Sequence, residues 1–572
     1  MQQEKDSLHS THSKNSKQSA NSTRLEQYAH ARSTAQYENS VRSAKSVHAK
    51  NTAHSESTAR PVRSAKSAQS KGSAQSKKSV QSKQSVRSAQ SAYPEKAAQS
   101  AHAKSTAHSK DSAHSAHSED RRKKTQTAQT AEIDYVKAPI PKVYRRLLPS
   151  AIGSLLTATV ASFIDVVILS HYLGPGMLAI VSLCMPIYML VNTLSMLIAS
   201  GASTLYAQYL GEGDKQEALR YFSVSVVHSL ICGVVLTVVG LLFTDKVVWL
   251  LGANDAVAAQ TAEYAHVLFF FMIPLMIYVL LLFFVRIDND PTRVLAATSV
   301  CAGVNLVLDI LFVGPLHLGV KGAAMATCLA YTLGMFVNLT HFISRKNTLK
   351  FIQRCLKGRS LRVWRIGLPL AASQLGMTVS TQIFNNTVIR VGSEDYVAVY
   401  GVVIQLTMIS MAIYEGVGQA SQPMLAAAYG AGRWKRIRRV FLYGLRLELI
   451  GTVALALFYF LAANPVAGLF SIKEGALMDL ALTAIRIYAL SLPMTGVNSI
   501  IMYYFQAQEK TGRALLISLL YSSVLLIAAL MILVALFREK AIWGSYPAAQ
   551  ALALVVSLLM LRRNQNERRT HK

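Results

Sequence analysis

The stretch Glu415-Gly-Val-Gly-Gln-Ala-Ser-Gln-Pro-Met-Leu-Ala-Ala-Ala-Tyr-Gly-Ala-Gly432 closes a long apolar run with small residues and a glycine turn. A similar stretch, Ser200-Gly-Ala-Ser-Thr-Leu-Tyr-Ala-Gln-Tyr-Leu-Gly-Glu-Gly213, ends another apolar run about 220 residues earlier. An apolar run of roughly 20 residues can cross a bilayer as a helix. Two such units at this distance indicate a membrane protein built from two related halves.

Twelve apolar runs long enough to span a membrane follow one another from residue 147 onward. We number them spans 1 to 12, and they cover residues 147–171, 177–208, 221–244, 264–286, 294–315, 319–343, 365–390, 396–422, 438–462, 484–507, 513–537 and 541–561. Short loops with turn residues, such as Gly174-Pro175-Gly176, connect them. The fold class predicted is an all-α integral membrane protein.

The same lag near 220 residues recurs at other places in the chain. Leu148-Pro149 opens span 1 and Leu368-Pro369 opens span 7, while Arg293 precedes span 5 and Arg513 opens span 11. Two six-helix repeats, an N-lobe and a C-lobe, are therefore expected around a central cavity. Parallel repeats of this kind are one of the plans of secondary transporters.

Basic residues alternate between the two ends of the predicted spans. Eight lie between Arg345 and Arg365 and five between Arg433 and Arg439, and both groups follow even-numbered spans. The loops after odd-numbered spans hold far fewer. Basic loops stay in the cytoplasm, so we expect both termini to be cytoplasmic and the protein to be a multi-pass protein of the plasma membrane.

Residues 1–131 differ from the rest of the chain. Ser, Ala, Lys, Gln and His dominate this segment, which has 23 Lys and Arg against 9 Asp and Glu. Its few apolar side chains cannot offset the entropy of ordering the chain, so the segment is predicted to be a disordered cytoplasmic tail. Anionic lipid headgroups suit its charge. Aromatic residues are not interleaved with the basic ones, so no specific nucleic-acid partner is expected.

The predicted organisation therefore has five parts. They are the tail at 1–131, the N-lobe with spans 1 to 6 at 132–344, a basic cytoplasmic linker at 345–364, the C-lobe with spans 7 to 12 at 365–561, and a basic C-terminus at 562–572.

Enzymatic signatures are missing from the sequence. No phosphate-binding loop follows a strand, and no His or Cys residues have metal-ligand spacing. The five cysteines suit small core residues. We expect neither an enzyme nor a cofactor or metal.

The two stretches quoted first, together with Gly319-Val-Lys-Gly-Ala-Ala-Met-Ala-Thr327 at the start of span 6, resemble the signatures of the multidrug and toxic compound extrusion (MATE) family. The resemblance covers residues 141–561. It implies a monomeric antiporter that expels organic cations or drug-like compounds in exchange for H⁺ or Na⁺.

Two acidic residues lie within spans of the first half, where a charge is costly and marks function. Asp165 lies in span 1, and Asp309 lies in span 5 four residues after Asn305, hence on the same helix face. The family resemblance implies that these three form a cation-coupling site in the N-lobe, with Thr327 lining it. It also matches Tyr264 to a site tyrosine, although Tyr264 equally suits an interfacial aromatic anchor.

The second half does not repeat these acids. A shift of 220 residues carries Asp165 to Asn385, a possible C-lobe contact, and span 11 has no acid at the position of Asp309. Glu415 in span 8 is a second possible C-lobe contact. It is expected either to contact substrate or to pair with the charged residues of span 9, Arg446 and Glu448.

The function predicted is a secondary antiporter that works by alternating access of two lobes. A flippase for a lipid-linked saccharide is the nearest alternative, because it belongs to the same broader superfamily. Such flippases more often have two extra helices and a cationic cavity. A receptor or scaffold that acts through its basic tail is the alternative from another class, and intramembrane acids argue against it.

Overall fold

The computed structural model describes residues 134–570, except for 256, 354, 471, 473 and 474. The predicted tail at 1–131 lies outside the described residues. Every regular element within them is helical. The α-helices are α1 Ile140–Glu212, α2 Lys215–Leu242, α3 Thr244–Leu250, α4 Ala258–Phe270, α5 Met272–Ile287, α6 Pro291–Val313, α7 Gly319–Leu339, α8 Ser360–Val391, α9 Glu394–Gly430, α10 Trp434–Leu461, α11 Ala463–Leu469, α12 Ala476–Gln506, α13 Thr511–Leu519, α14 Leu525–Phe537 and α15 Ser545–Thr570.

The helices that could cross a membrane agree with the predicted class. In the described part of the chain ten are long and apolar enough, or eleven when α4 and α5, bent by 52° at their junction, count as one span. Helix α1 contains two of them, Ile140–Leu173 and Ile180–Glu212. The predicted span 7 lies in α8, which is not among the ten because its sequence is more polar. The all-helical membrane class is confirmed, and the number twelve stays a prediction.

The backbone repeats itself as the sequence predicts. Residues with positive φ occur in pairs 219–223 positions apart, each pair at the same kind of helix junction. The pairs are Gly213 with Gly432, Gly252 with Gly475, Asn289 with Glu509, and His317 with Arg538. A positive φ is uncommon outside glycine, so this recurrence indicates that the turns of the two halves have the same geometry.

Contacts within each half build a helix bundle. In the first half α1 packs on α2, α5 and α6, and α7 packs on α5 and α6. In the second half α12 packs on α9, α10 and α15, and α8 packs on α13. The halves meet mainly where α1 contacts α8 and α9.

Glycines bring the two halves together at the end of the bundle that carries the basic loops, called the basic end below. A Cβ atom on Gly211 of α1 would lie 2.0 Å from the carbonyl oxygen of Ala427 on α9. One on Gly430 of α9 would lie 2.0 Å from the carbonyl oxygen of Gln208 on α1. No side chain fits at such distances, so these positions require glycine. We call this contact the α1–α9 seam.

Polar side chains also cross between the halves at the basic end. The Gln422 side-chain amide of α9 donates to the Thr204 hydroxyl of α1 at 2.6 Å. The Gln506 amide of α12 donates to the Ser200 hydroxyl of α1 at 2.9 Å. All four residues are buried, so these bonds fix the register of the halves.

The loop between α5 and α6 is bound to the segment that follows α7. The buried carboxylate of Asp290 accepts hydrogen bonds from Lys346 and Arg293, each at 2.8 Å. Burial raises the pKa of Asp290, but these two cations outweigh it and hold the pKa well below its usual range. Asp288 accepts a further bond from the Thr348 backbone N–H at 2.8 Å. The start of the basic segment is thus fixed to the first half.

Helix α8 begins at Ser360, within the predicted linker at 345–364. Basic residues at this junction have acidic partners. Arg362 pairs with Glu509 at 2.6 Å, and just before the helix Arg359 pairs with Glu217 at 2.5 Å. The hydrogen bond that Arg359 donates to Glu217 raises the pKa of Arg359 and outweighs the lowering effect of burial.

Candidate cation-coupling site

A cavity of about 370 Å³ lies between α1 and α6 in the first half. Asp165 and Thr157 of α1 and Asn305 of α6 are its polar lining residues, and the remaining lining is apolar or glycine. No Lys or Arg lines it among the described residues. The cavity therefore has one acidic group in otherwise neutral walls.

Asn305 and Asp309 share a face of α6, as their spacing predicts. The Asn305 amide donates to Asp309 Oδ2 at 2.6 Å and lies 3.5 Å from the Thr327 hydroxyl on α7. Asp309 is fully buried. The structure thus brings three of the predicted site residues, Asn305, Asp309 and Thr327, into one hydrogen-bonded group.

Asp165 joins this group from α1. Its carboxyl group lies within interaction range of the carboxyl group of Asp309. Two carboxylates can be joined by a hydrogen bond only when one of them carries a proton. Two carboxyl groups so close together are an arrangement in which a single proton can be shared.

Each of the two acids has one carboxyl oxygen without a hydrogen-bond partner. Asp165 Oδ1 and Asp309 Oδ1 are buried and have no hydrogen-bond partner. Among the described residues neither acid forms an ion pair with a Lys, Arg or His. Buried polar atoms are usually satisfied in folded proteins, and such exceptions are typical of sites that take up a proton, a cation or a ligand.

Tyr264 lies in the protein interior. Its side chain, on α4, is buried in the apolar core of the first half and lies within electrostatic range of Asp165 and Asp309. Its role as a site tyrosine stays a prediction.

Sequence reasoning missed a pair of tyrosines beside the site. Tyr188 of α1 and Tyr331 of α7 join their hydroxyls at 2.5 Å, and Tyr188 is within electrostatic range of Asp165. Tyr331 follows Thr327 by four residues, so it lies on the same helix face. That spacing was the signal that could have identified it.

The predicted contacts in the second half have different outcomes. Asn385 is half-buried and lines neither of the two described cavities. Glu415 is buried and accepts a hydrogen bond from the Tyr503 hydroxyl at 2.5 Å. Arg446 is exposed on α10, so the expected ion pair between Glu415 and Arg446 is wrong.

The acid of α10 that faces the interior is Glu448, which is fully buried. It belongs to a stripe of buried positions on that helix, Phe441, Gly444, Glu448 and Thr452. This stripe has helical spacing, whereas Arg446 lies on another face. The first half is thus not alone in having intramembrane acids.

Comparison with known proteins places this arrangement in a family. The MatE family model matches residues 149–311 and 369–532, one match in each half and together more than half of the chain. The chain belongs to the MATE family. It is therefore a multi-pass membrane transporter, and the two matches coincide with the repeat read from the sequence.

Two relatives match about three quarters of this MATE protein. The "Multidrug export protein MepA" of Staphylococcus aureus (strain MRSA252) is 22% identical over 433 residues, which is 75% of this chain and 94% of that protein. MepA of Staphylococcus haemolyticus is 22% identical over 417 residues, with 72% and 91% covered.

Solved structures show the same fold. One is described as the "outward-facing conformation of a multidrug resistance MATE family transporter of the MOP superfamily", with TM-score 0.72, 26% identity, and coverage of 76% of this chain and 98% of the other. A transporter of the same superfamily from Pyrococcus furiosus, described by the "reverse polarity" of its binding pocket, has TM-score 0.70 and 25% identity over 76% and 98%.

Proposed function

We propose that this protein is an antiporter that exports organic cations or drug-like compounds in exchange for protons. Asp165 and Asp309 bind the proton in the first half, and Asn305, Thr327 and Tyr264 orient them. The protein works as a monomer in the plasma membrane with both termini in the cytoplasm. Its two halves expose the pathway to either side in alternation.

One observation carries the proposal: the proximity of two intramembrane carboxyl groups at the edge of a cavity. Asp165 lines the cavity and lies within interaction range of the buried Asp309. Placing a charge inside a membrane costs roughly 2.5–3.5 kcal/mol on insertion scales. A protein bears that cost where the charge is used. A proton or a substrate cation on this pair would neutralise it, so one can displace the other.

The packing of the halves supports an arrangement open to the outside. The α1–α9 seam is closed at the basic end, which the positive-inside rule assigns to the cytoplasm. Around Asp165, in contrast, Val160, Phe163 and Val167 are 52%, 44% and 52% exposed on α1. These two features support a state in which protons load onto the acid pair from the side opposite the basic end.

The site favours H⁺ over Na⁺ as the coupling ion. The Asn305 amide group already donates to Asp309, so its nitrogen and not its oxygen faces the acid. A sodium ion needs several oxygen ligands, and the Asn305 oxygen is not turned toward the acid to serve as one. A proton needs only a carboxyl oxygen to bind to.

Two features support an organic cation as the substrate. The cavity walls are apolar or neutral apart from Asp165, which suits an apolar molecule with one positive charge. The relatives from two Staphylococcus species have the name multidrug export protein.

A lipid-linked saccharide flippase remains the second candidate, because a protein of this fold from Pyrococcus furiosus is described as having reversed pocket polarity and a different function. An anionic lipid phosphate would need a basic pocket. The cavity described above has Asp165 and no Lys or Arg in its lining among the described residues, which favours the cation exporter.

The test is substrate-driven proton movement in proteoliposomes. Internal pH is followed after a cationic dye is added against an imposed proton gradient, with and without Na⁺, for the native chain and for Asp165→Asn. Proton movement should be lost in the variant and should not depend on Na⁺. Asp255→Asn, at an exposed acid of the same half, is the matched control and should behave as the native chain.

Two results would contradict the proposal. Proton movement that is unchanged in Asp165→Asn would remove this residue from the coupling site. Absence of any movement with cationic compounds, together with scrambling of a lipid-linked saccharide, would favour the flippase.

A further inference from the structure

The segment that joins the two halves is fixed to the protein along one side. It covers residues 344–359, between the short turn after α7 and the start of α8, and we call it the connecting segment. Its ends are held by the ion pairs described above. In its middle the Ile352 backbone N–H donates to the Ser223 hydroxyl of α2 at 2.8 Å. Leu349 and Cys355 are buried in the hydrophobic core, so the course of the segment is set by the fold.

The other side of the connecting segment carries uncovered apolar side chains. Phe351 is 57% exposed and Leu356 is 41% exposed. At the two ends of the segment, Ile343 is 89% exposed and Leu361 is 81% exposed. Single exposed apolar residues are ordinary, whereas several close together mark a surface that binds a partner or a membrane.

Exposed cations lie beside these apolar side chains. Lys350 precedes Phe351 and Lys357 follows Leu356, and both lysines are exposed. Among the described residues neither lysine forms an ion pair. No Asp or Glu occurs anywhere in residues 343–365. Each exposed apolar side chain of the segment therefore has a free positive charge next to it.

Anionic phospholipid is the partner that fits both features. A segment with Lys and large apolar side chains lies in the headgroup region, with its apolar parts at the acyl boundary and its cations at the phosphates. A soluble acidic partner would pair with the lysines and leave Phe351 and Leu356 in water.

The place of the segment in the fold agrees with a membrane surface. The helix Gly319–Ile343 is long and apolar enough to cross a membrane, so Ile343 lies where this helix leaves the bilayer. The segment belongs to the basic end, which the positive-inside rule assigns to the cytoplasm. The cytoplasmic leaflet has a negative surface potential from its anionic lipids.

We propose that the connecting segment is a binding surface for anionic phospholipids, with Phe351 and Leu356 inserted at the acyl boundary and Lys350 and Lys357 bound to the lipid phosphates. The segment is fixed to the first half and continues directly into α8 of the second half. Bound lipid therefore contacts the connection between the halves, whatever compound the transporter carries.

The test is quenching of tryptophan fluorescence by brominated lipid. The purified full chain with Phe351→Trp is placed in nanodiscs of mixed phosphatidylglycerol and phosphatidylcholine, in which the acyl chains of one or the other lipid are brominated. The signal of the native chain, which has four tryptophans, is subtracted. Brominated phosphatidylglycerol should quench the added tryptophan at least about twofold more than brominated phosphatidylcholine at the same mole fraction. Leu356→Trp should give the same result if Phe351→Trp fails to fold.

Two lysine variants of equal charge show whether the preference is local. Phe351→Trp combined with Lys350→Gln and Lys357→Gln should lose the preference for phosphatidylglycerol. Phe351→Trp combined with Lys246→Gln and Lys321→Gln, at exposed lysines of the other end of the first half, should keep it. The same preference in both combinations would overturn the assignment of the two lysines.

A second position and a soluble anion complete the test. Phe458→Trp, at an exposed side chain of α10, should be quenched equally by the two lipids. Inorganic phosphate should change the preference at position 351 no more than chloride of equal ionic strength does. A loss specific to phosphate would assign the lysines to a free anion and overturn lipid binding. Equal quenching of Phe351→Trp by the two lipids, or quenching by neither, would overturn it as well.

Discussion

The two halves of this transporter have the same turns and different chemistry. In the first half Asp165 and Asp309 meet at the edge of a cavity of about 370 Å³ and have an amide donor beside them. In the second half Glu415 and Glu448 are buried, and the cavity that Glu415 lines has about 60 Å³. The first pair bridges α1 and α6, and the second bridges α9 and α10 at positions that the repeat does not relate. The shared scaffold therefore fixes where helices lie, and individual substitutions decide which helix faces hold acids.

The largest effect should come from removing both acids of the first pair. Asp165→Asn with Asp309→Asn leaves no group that can exchange a proton there, so we expect coupled proton movement to fall by at least about tenfold, the equivalent of 1.4 kcal/mol. Substrate-driven pH change in proteoliposomes measures it. If the double variant still moves protons at the native rate, the acids of the first half are not the coupling groups, and the acids of the second half would have to take that role.

The seam between the halves should be almost as sensitive. Gly430→Ala places a Cβ atom 2.0 Å from the Gln208 carbonyl oxygen, and such overpacking costs typically 1–3 kcal/mol. Thermal unfolding in detergent should show a lower midpoint. Gly401→Ala is the control on the same helix, since a Cβ there meets nothing within 4 Å. Equal midpoints for the two variants would mean that the seam is not a tight contact.

The turn between α5 and α6 lies at the basic end and contains Asp290, whose ion pairs should make stability depend on pH. By the repeat, this turn corresponds to the Glu509–Lys510 turn of the second half. The pKa of Asp290 is held well below its usual range, so its stabilisation is present above the unfolded pKa near 3.9 and is lost as pH falls through the folded pKa.

Asp290→Asn should therefore lower the free energy of unfolding at neutral pH by about 2 kcal/mol, the size of a hydrogen bond to a charged group. The difference from native protein should shrink as the medium is made acidic. Unfolding followed by circular dichroism across this pH range measures it. A difference that does not depend on pH would contradict the ion-pair account.

The smallest effect is expected at Tyr503 of α12. Tyr503→Phe removes the donor to Glu415 and should cost about 1 kcal/mol of stability. Thermal unfolding in detergent should show a slightly lower midpoint. Tyr443→Phe, a half-buried tyrosine of α10 in ring contact with Tyr144, is the control and should leave the midpoint in place. Equal midpoints for the two variants would mean that the bond to Glu415 does not stabilise the second half.

Local rules were sufficient for part of the site. The four-residue spacing predicts that Asn305 and Asp309 share a face, and the structure joins them at 2.6 Å. Glu415 and Arg446 show where such rules fail. Arg446 and Glu448 lie two positions apart, and only the packing of α10 on α9 and α12 decides which of them faces inward. The helical spacing of Phe441, Gly444 and Thr452 marks the buried face of α10. That face can be recognised only once the partner helices are known.

The sequence by itself determined the helical class, the two-part repeat and the end of the bundle that carries the basic loops. These follow from apolar run length, a lag near 220 residues and charge alternation, which can all be read from the order of residues without knowing which helices pack together. The tertiary structure alone decided that Asp165 lies near Asp309, that Tyr264 faces the interior, and that Glu415 and Glu448 lie together without a cation. Such contacts join residues tens to hundreds of positions apart, and the packing of several helices against one another sets them.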